Sequence, residues 1–411
     1  LQLRQLMLRM RMTTYHSNLI QKIKKWVTIV PIFFPFKNKL IINIKKVMAS
    51  KAPKKPIAKK AFNSASFKKD NGFDNVVKDK ELTWIPLSDS FHEALKIPGL
   101  ARGYFTSFRG YSNTGKSTAI YEAVAGAQKI GDYPVIIETE GNWSWEHARN
   151  IGVKFEEVVD ETTGEVLNYV GDFLFMNGDD LLKKYECVDY SNGKVGTKPL
   201  RFEPIIEDVA RLMTELLDLQ EEGGFDRNIC FLWDSVGSLN GFQSVMSKSS
   251  NNQWNAGSME TAFKSLVNHR LPASRRMGKP YTNTFAVVQK IWLDNMNTVV
   301  KHKGGEAFFY SPRVIVHFGG ILTHSTTKLT ATSGGEKYQF GIETKVRCEK
   351  NQVNGVEEQG KLASTPHGYW NPNKIDDYKK EHKSYILNRL NSEASDFTVV
   401  REDIEGAPEK E

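Results

Sequence analysis

The chain has 411 residues, 40% of them apolar, enough to bury a substantial core and make one large domain with appendages. Its net charge of +8 suggests a nucleic-acid binder, but residues 1–69 hold 17 Lys and Arg and no acid. All 48 acids and the other 39 of the 56 bases follow, a net of −9, which excludes a function carried by a featureless basic surface.

Residues 1–47 mix Ile, Phe, Lys and Asn without a helical or strand period, and the chain begins at Leu1. Three readings stay open for this leader: translation upstream of a start at Met48, a basic organelle presequence, and a nucleic-acid arm. Residues 48–80, rich in Lys with interleaved Pro and Ala, read as a flexible basic arm. Within it Phe62-Asn63-Ser64-Ala65 is either a short tether able to plug a neighbour's pocket or, more plainly, part of a disordered linker. The longest apolar run, 26–36, is short of membrane-spanning length and carries two prolines. Cys187, Cys230 and Cys348 lack CxxC spacing, which excludes a disulfide framework and a cysteine-rich zinc site and fits a reducing, cytoplasmic compartment.

Residues 103–108 are aromatic and β-branched and predict a strand. They run into Gly110-Tyr-Ser112-Asn113-Thr114-Gly115-Lys116-Ser117-Thr118 and then a helix-forming stretch. This is GxxxxGK[ST] in a strand–loop–helix setting, a phosphate loop. Glycines let backbone N–H groups turn inward, Lys116 neutralises β/γ-phosphate oxygens, and Ser117 binds Mg²⁺. A second strand, 134–139, ends beside Glu140, placed to orient or deprotonate an attacking water. A third, 228–235, is an apolar run ending in Asp234, the carboxylate of a Mg²⁺ shell. A fourth, 284–289, ends in Gln289, whose amide can sense a γ-phosphate. Each of these strand-end residues alone is as well read as a cap or surface group; together they describe a nucleotide-hydrolysing edge.

Two loops follow from that edge. Residues 240–256 are polar and too long for a simple connection. Residues 290–303 mix Lys290, Lys301, His302 and Lys303 with Ile291, Trp292, Leu293 and Met296, cations for phosphates and apolar groups for bases. The plainer alternative there is an apolar helix docked on the core. Arg270, Arg275 and Arg276 read as a solvated helix end. Residues 154–200 carry the hairpin-turn signals 160–164 and 190–193, an inserted β element. Residues 338–348 alternate at period two, a late antiparallel region. Residues 402–411 form an acidic tail.

Residues 84–352 resemble the RecA family of strand-exchange ATPases, UvsX-type phage recombinases included. The likeness rests on the approach Phe91–Gly103, on the spacing from Glu140 to Ala148-Arg149-Asn-Ile-Gly152-Val153, on Asp234-Ser235-Val236, on Gly304-Gly305-Glu306-Ala307 followed by Tyr310, and on Glu343–Lys350. It implies an α/β core with a mostly parallel twisted sheet flanked by helices and a C-terminal antiparallel β region. It also implies Glu140 as the hydrolytic carboxylate, His147 stacking on adenine, Gln289 coupling ATP to the second DNA loop, which Gly304 and Gly305 close, and Lys350 reaching a neighbour's ATP. Gln352 departs from a second basic residue expected there.

The expected organisation is a leader 1–47, an arm 48–80, an ATPase core 81–364 with an insert at 154–200, and an extension 365–411. The expected function is an ATP- and Mg²⁺-dependent recombinase that polymerises on single-stranded DNA and pairs it with homologous duplex DNA. A single-strand-binding or mediator protein would assist it; no membrane is involved. A ring helicase with the same core would need an N-terminal helical collar that the basic leader does not supply. A degenerate nucleotide-binding mediator is opposed by intact Lys116, Ser117, Glu140 and Asp234.

Overall fold

The structure is a computed structural model that describes residues 63–72, 78–248, 252–293, 300–302, 305–320, 325–390 and 395–403. The chain divides into two units, Leu1–Asn75 and Val76–Glu411. In the first, Ser64–Asp70 is helical where a flexible arm was expected. Asn63 caps it, its side-chain oxygen accepting the N–H groups of Ala65 and Ser66 at 3.0 and 3.1 Å, and Lys68 and Lys69 sit in the last turn, where carbonyl ends favour cations. The helix buries none of its residues. The leader, Met48 and Phe62 lie outside the described residues.

The second unit opens with β1 (Trp84–Pro86) and β2 (Gly99–Ala101), an antiparallel pair. Then come β3 (Phe105–Gly110), β4 (Tyr133–Glu138), β5 (Glu156–Val159), β6 (Val166–Val170) and β7 (Leu174–Asn177). After β8 (Val188–Asp189) and β9 (Lys194–Val195) follow β10 (Ile229–Val236), β11 (Thr284–Leu293), β12 (Val300–His302) and β13 (Val314–Phe318). The last are β14 (Thr326–Ser333), β15 (Glu336–Asn351), β16 (Gln359–Thr365), β17 (Gly368–Trp370) and β18 (Thr398–Asp403). One mixed sheet of twelve strands dominates. Its parallel centre runs β13-β3-β11-β10-β4-β7, and β15, β14, β16, β17 and β18 extend it antiparallel.

The sheet is buried on both faces, so its central strands read as continuous apolar runs. Val135, Ile137, Phe231, Trp233, Phe285 and Val287 point to one face and pack with Val209, Met213 and Phe263 from the helices Ile206–Glu221 and Asn252–Ser265. Ile136, Cys230, Leu232, Ala286, Val288 and Val316 point to the other and pack with Ile120 and Val124 of the helix Lys116–Ile130. A third cluster, with Leu329, Phe340, Tyr378, Ile386 and Phe397, seats the C-terminal helices on the antiparallel extension. The helix Lys116–Ile130 ends at Gly131, whose left-handed backbone (φ 80°) lets its N–H reach the carbonyls of Ala127 and Gln128. Gly126 has no substitute, because a Cβ there would lie 2.0 Å from the Pro86 carbonyl oxygen.

The segment 154–200 is not wholly an insert. Both turn signals close hairpins, β5–β6 and β8–β9. Between them, however, β7 is the edge strand of the main sheet beside β4, and the helix Gly178–Tyr185 buries Leu181 and Tyr185 in the core. The acidic tail is also shorter than expected: Glu402 and Asp403 belong to β18, where they bond Lys337 and Thr327. The three cysteines are free. Among the described residues no helix is long and apolar enough to cross a membrane.

Candidate functional site

Parallel pairing brings the carboxyl ends of β3, β4, β10 and β11 to one rim. Arg109 is level with Gln289, Gly110 with Lys290, Val236 with Gln289, and Glu138 with Asp234. Lys116, Ser117, Glu140, Asp234, Gln289 and Lys290, far apart in sequence, thereby meet where open α/β sheets bind ligands.

The loop Gly110–Lys116 folds back on itself. Asn113 and Gly115 take left-handed φ of 55° and 87°, and a Cβ on Gly110 would lie 2.4 Å from the Phe318 carbonyl oxygen. Thr114 Oγ1 donates to the Tyr111 carbonyl at 2.9 Å, and Lys116 Nζ donates to the same oxygen. Ser112 is half-buried beside them and Asn113 is exposed. Lys116 is buried, and burial pushes its ammonium down to about 8; the Asp234 and Glu140 carboxylates counter this, while Lys290 adds to it. Such a loop can present N–H groups and an ammonium to an anion.

Ser117 hydrogen-bonds the Asp234 carboxylate. Burial pushes Asp234 up to about 7; the bond from Ser117 and the charge of Lys116 oppose the shift, and Glu140 and Glu138 reinforce it. Asp234 Oδ1 is enclosed without a hydrogen-bond partner among the described residues, a costly state for a carboxylate. A hydroxyl and an orphaned carboxylate oxygen are the donors a hard divalent cation takes. Among the described residues no group of three or more His, Cys, Asp or Glu could hold a metal by itself. An ion here would complete its shell with ligand oxygens and water, the habit of Mg²⁺ rather than Ca²⁺ or Zn²⁺.

Glu140 lies two residues beyond β4, exposed at the rim, and accepts the Ser235 hydroxyl. Its position is set by Glu138, which the sequence did not single out. Glu138 is buried, and its two oxygens accept the N–H groups of Glu140, Gly141 and Asn142 at 2.9, 3.0 and 3.1 Å. His147 sits in the helix Trp145–Ile151, capped by Ser144, with its ring 4.5 Å from that of Tyr121 and Nδ1 3.0 Å from the Pro366 carbonyl oxygen. Burial lowers its pKa, holding the imidazole neutral. Thr118 follows Ser117 in the first turn of the helix, and its hydroxyl is engaged by Ser364 at 2.5 Å.

Gln289 is fully buried. Its Oε1 accepts Ser107 Oγ at 3.1 Å and Arg109 Nε at 2.6 Å. Arg109, which sequence reasoning missed, also donates to the carbonyls of Phe308 and Phe309 at the end of the helix Gly305–Tyr310. The described residues of 290–303 are paired strands rather than an apolar helix: Ile291 pairs with His302, Trp292 with Lys301 and Leu293 with Val300. Lys301 is exposed and Trp292 half-buried. Expected as a base contact, Ile291 is buried against Tyr111 and Val300, because the pairing turns it toward the Gly110–Lys116 loop. Gly305, with φ 63°, opens the helix that follows. The hairpin tip, Lys303 and Gly304 lie outside the described residues. Lys350 is on β15, level with Ile315, and its Nζ donates to the Tyr310 carbonyl at 2.9 Å, away from the rim. Where Gln352 departs from the expected base, Arg313 donates to it at 2.7 Å and brings a guanidinium near Lys350.

Residues 240–256 are mostly helical rather than a loop: Phe242–Met246 is a helix, and Asn252 begins another. Residues 249–251 lie outside the described residues. A cavity of about 770 Å³ lies nearby, lined by Tyr190, Glu207, Phe242 and Ser258, and none of the candidate residues line it.

No family model matches the chain. It is 33% identical over 92 residues to a plasmid-borne protein RecA of Lactococcus lactis subsp. lactis, 22% of this chain and 27% of that protein. It is 31% identical over 122 residues to protein RecA of Saccharopolyspora erythraea, 28% of this chain and 35% of that protein. Against protein RecA of Mycobacterium leprae it is 33% identical over 87 residues, 21% of this chain and 12% of that protein. The chain therefore spans between 12% and 35% of the length of these relatives. The similarity supports a RecA-like relationship over part of the chain, and the mixed sheet flanked by helices is compatible with it.

Proposed function

We propose that this chain is an ATP-dependent DNA recombinase, related to UvsX-type members of the RecA family. It binds ATP on the loop Gly110–Thr118, with Gly115, Lys116 and Ser117 around the phosphates, and self-associates on single-stranded DNA to pair it with homologous duplex. One observation carries the reading: the candidate phosphate loop and the candidate DNA hairpin are mechanically joined. Lys290 is level with Gly110, and Tyr111, whose carbonyl receives the Lys116 ammonium, packs on Ile291 and Val300 of the hairpin. A change at the phosphates must pass through Tyr111 to the hairpin's root.

Glu140, fixed by Glu138 and Ser235, takes the proton of the water that attacks the γ-phosphate. Lys116 neutralises the charge gathering on the transferred group. Mg²⁺ held by Ser117 and Asp234 would supply further neutralisation of the phosphate oxygens. Gln289, through Arg109, relays the state of the rim to the helix Gly305–Tyr310. His147 offers a neutral ring to the base, and Lys350 with Arg313 offers cations to a neighbouring subunit. Trp292, Lys290, Lys301 and Lys303 meet the strand, with Gly304 and Gly305 closing the loop. A single-strand-binding or mediator protein would load the strand, and the working place is the cytoplasm.

ATP turnover titrated with single- and double-stranded DNA tests the reading. Stimulation by single strands, and loss of turnover in Lys116→Ala, are expected. A chain that grips oligonucleotides equally well without nucleotide, with ADP and with ATP would overturn it.

A further inference from the structure

The C-terminal hairpin β16–β17 lies along the first two turns of the helix that follows the Gly110–Lys116 loop. It touches Gly115, Thr118 and Glu122, spaced as neighbours on one helix face. Tyr369 Oη donates to the Gly115 carbonyl at 2.7 Å, Ser364 Oγ meets Thr118 Oγ1 at 2.5 Å, and Tyr369 N–H donates to Glu122 Oε1 at 2.7 Å. The fit is close: a Cβ on Gly115 would lie 2.8 Å from Ser364 Cβ, and one on Gly368 2.8 Å from Glu122 Oε1. The Tyr369 ring itself is buried and stacked between Phe91 and Phe318, with centroids 6.1 and 6.0 Å away.

The geometry points to Tyr369 as a positioning residue for the phosphate grip, an inference that rests on the ATP-binding reading above. In a trans peptide the C=O and N–H point in opposite directions. Holding the Gly115 carbonyl outward on the phenol therefore aims the Lys116 N–H inward, into the cradle that the loop forms. Gly115 is left-handed and has no side chain to fix its plane, so a group outside the helix adds to the hold of the first intrahelical bond. The hairpin supplies that group, and Glu122 and Ser364 hold the hairpin in register.

Tyr369→Phe tests this, because it keeps the stacked ring and removes only the hydroxyl. The KM for ATP should rise about fivefold to tenfold, the worth of one hydrogen bond, with kcat changed less than about twofold. The melting temperature without nucleotide should stay near that of the wild type, while the rise produced by Mg·ATP or Mg·ADP shrinks. Ser364→Ala should shift KM in the same direction by less. A Tyr369→Phe protein whose KM and nucleotide-induced thermal rise match the wild type would overturn the inference and leave the ATPase reading standing. A wild type whose melting ignores Mg·ATP would overturn both.

Discussion

Glu138 and Glu140 are two residues apart on one strand end, and their surroundings give them different parts. Glu138 spends both oxygens on three backbone N–H groups, while Glu140 keeps its carboxylate at the rim facing Ser235, Asp234 and Lys116. Glu140→Gln should bind nucleotide as the wild type does and lose about 10²–10⁴-fold in turnover, the usual yield of a general base. Unchanged single-turnover kinetics would remove Glu140 from that role. Sequence exposed Glu140 because a carboxylate just past an apolar strand stands out. Glu138 reads as any strand residue, since only burial and the three amides distinguish it. Ile291 shows the same limit: an apolar residue in a cationic stretch looks like a base wedge, and only strand pairing shows that it packs on Tyr111 and Val300. Glu122 is a further group the sequence left silent. Burial pushes its carboxyl up to about 7, against hydrogen bonds from the Tyr369 and Ser88 amides. A raised folded pKa means that the native state holds a proton the unfolded chain has lost between about pH 4.5 and 7. Stability therefore falls as pH rises through that window. Urea denaturation at pH 5 and pH 8 should show that fall, and Glu122→Gln should flatten it.

The hairpin β11–β12 is the element on which the proposed coupling depends. Trp292 and Lys301 are cross-strand partners, so the proposed stacking surface and the proposed phosphate ligand lie side by side. Trp292→Ala should weaken single-strand binding by the ~1–3 kcal/mol that a base–aromatic stack is worth. Lys301→Ala should lower the salt slope by about one without changing sequence preference. Fluorescence anisotropy across a salt series separates the two. Tyr111→Ala should leave DNA-free ATP turnover within a few-fold and abolish its stimulation by single strands; stimulation equal to the wild type would break the proposed link. The segment 240–256 shows why composition misleads about elements. Three of its polar residues satisfy one another: Asn255 Oδ1 accepts both Gly241 N–H and Ser244 Oγ, and Asn255 Nδ2 donates to Asn240. Polarity there ties the start of one helix to the start of the other.

At the scale of the molecule, strand existence was largely legible and strand order was not. Apolar runs such as Ile229–Val236 and the alternation in β15 mark strands because both sheet faces, or one, are buried. Nothing local places β13 beside β3, or β7 at the sheet's edge, since those neighbours are set by pairings remote in sequence. The C-terminal extension resembled nothing as a sequence, and it proves to be bound to the candidate site at Gly115, Glu122 and His147. Electron microscopy of the protein with ATP and single-stranded DNA should show helical filaments; closed rings would favour a translocating motor over a strand-exchange protein.

Strand β18 returns from the C-terminal helices to pair with β14 along Thr327–Thr332. Without it, β14 would present a bare ladder of amides and carbonyls to the solvent, a template onto which another chain can add. Proteolytic nicking before Thr398 would then convert a closed border into an adhesive one, and the clipped product would precipitate through β-pairing while its candidate phosphate loop stayed whole.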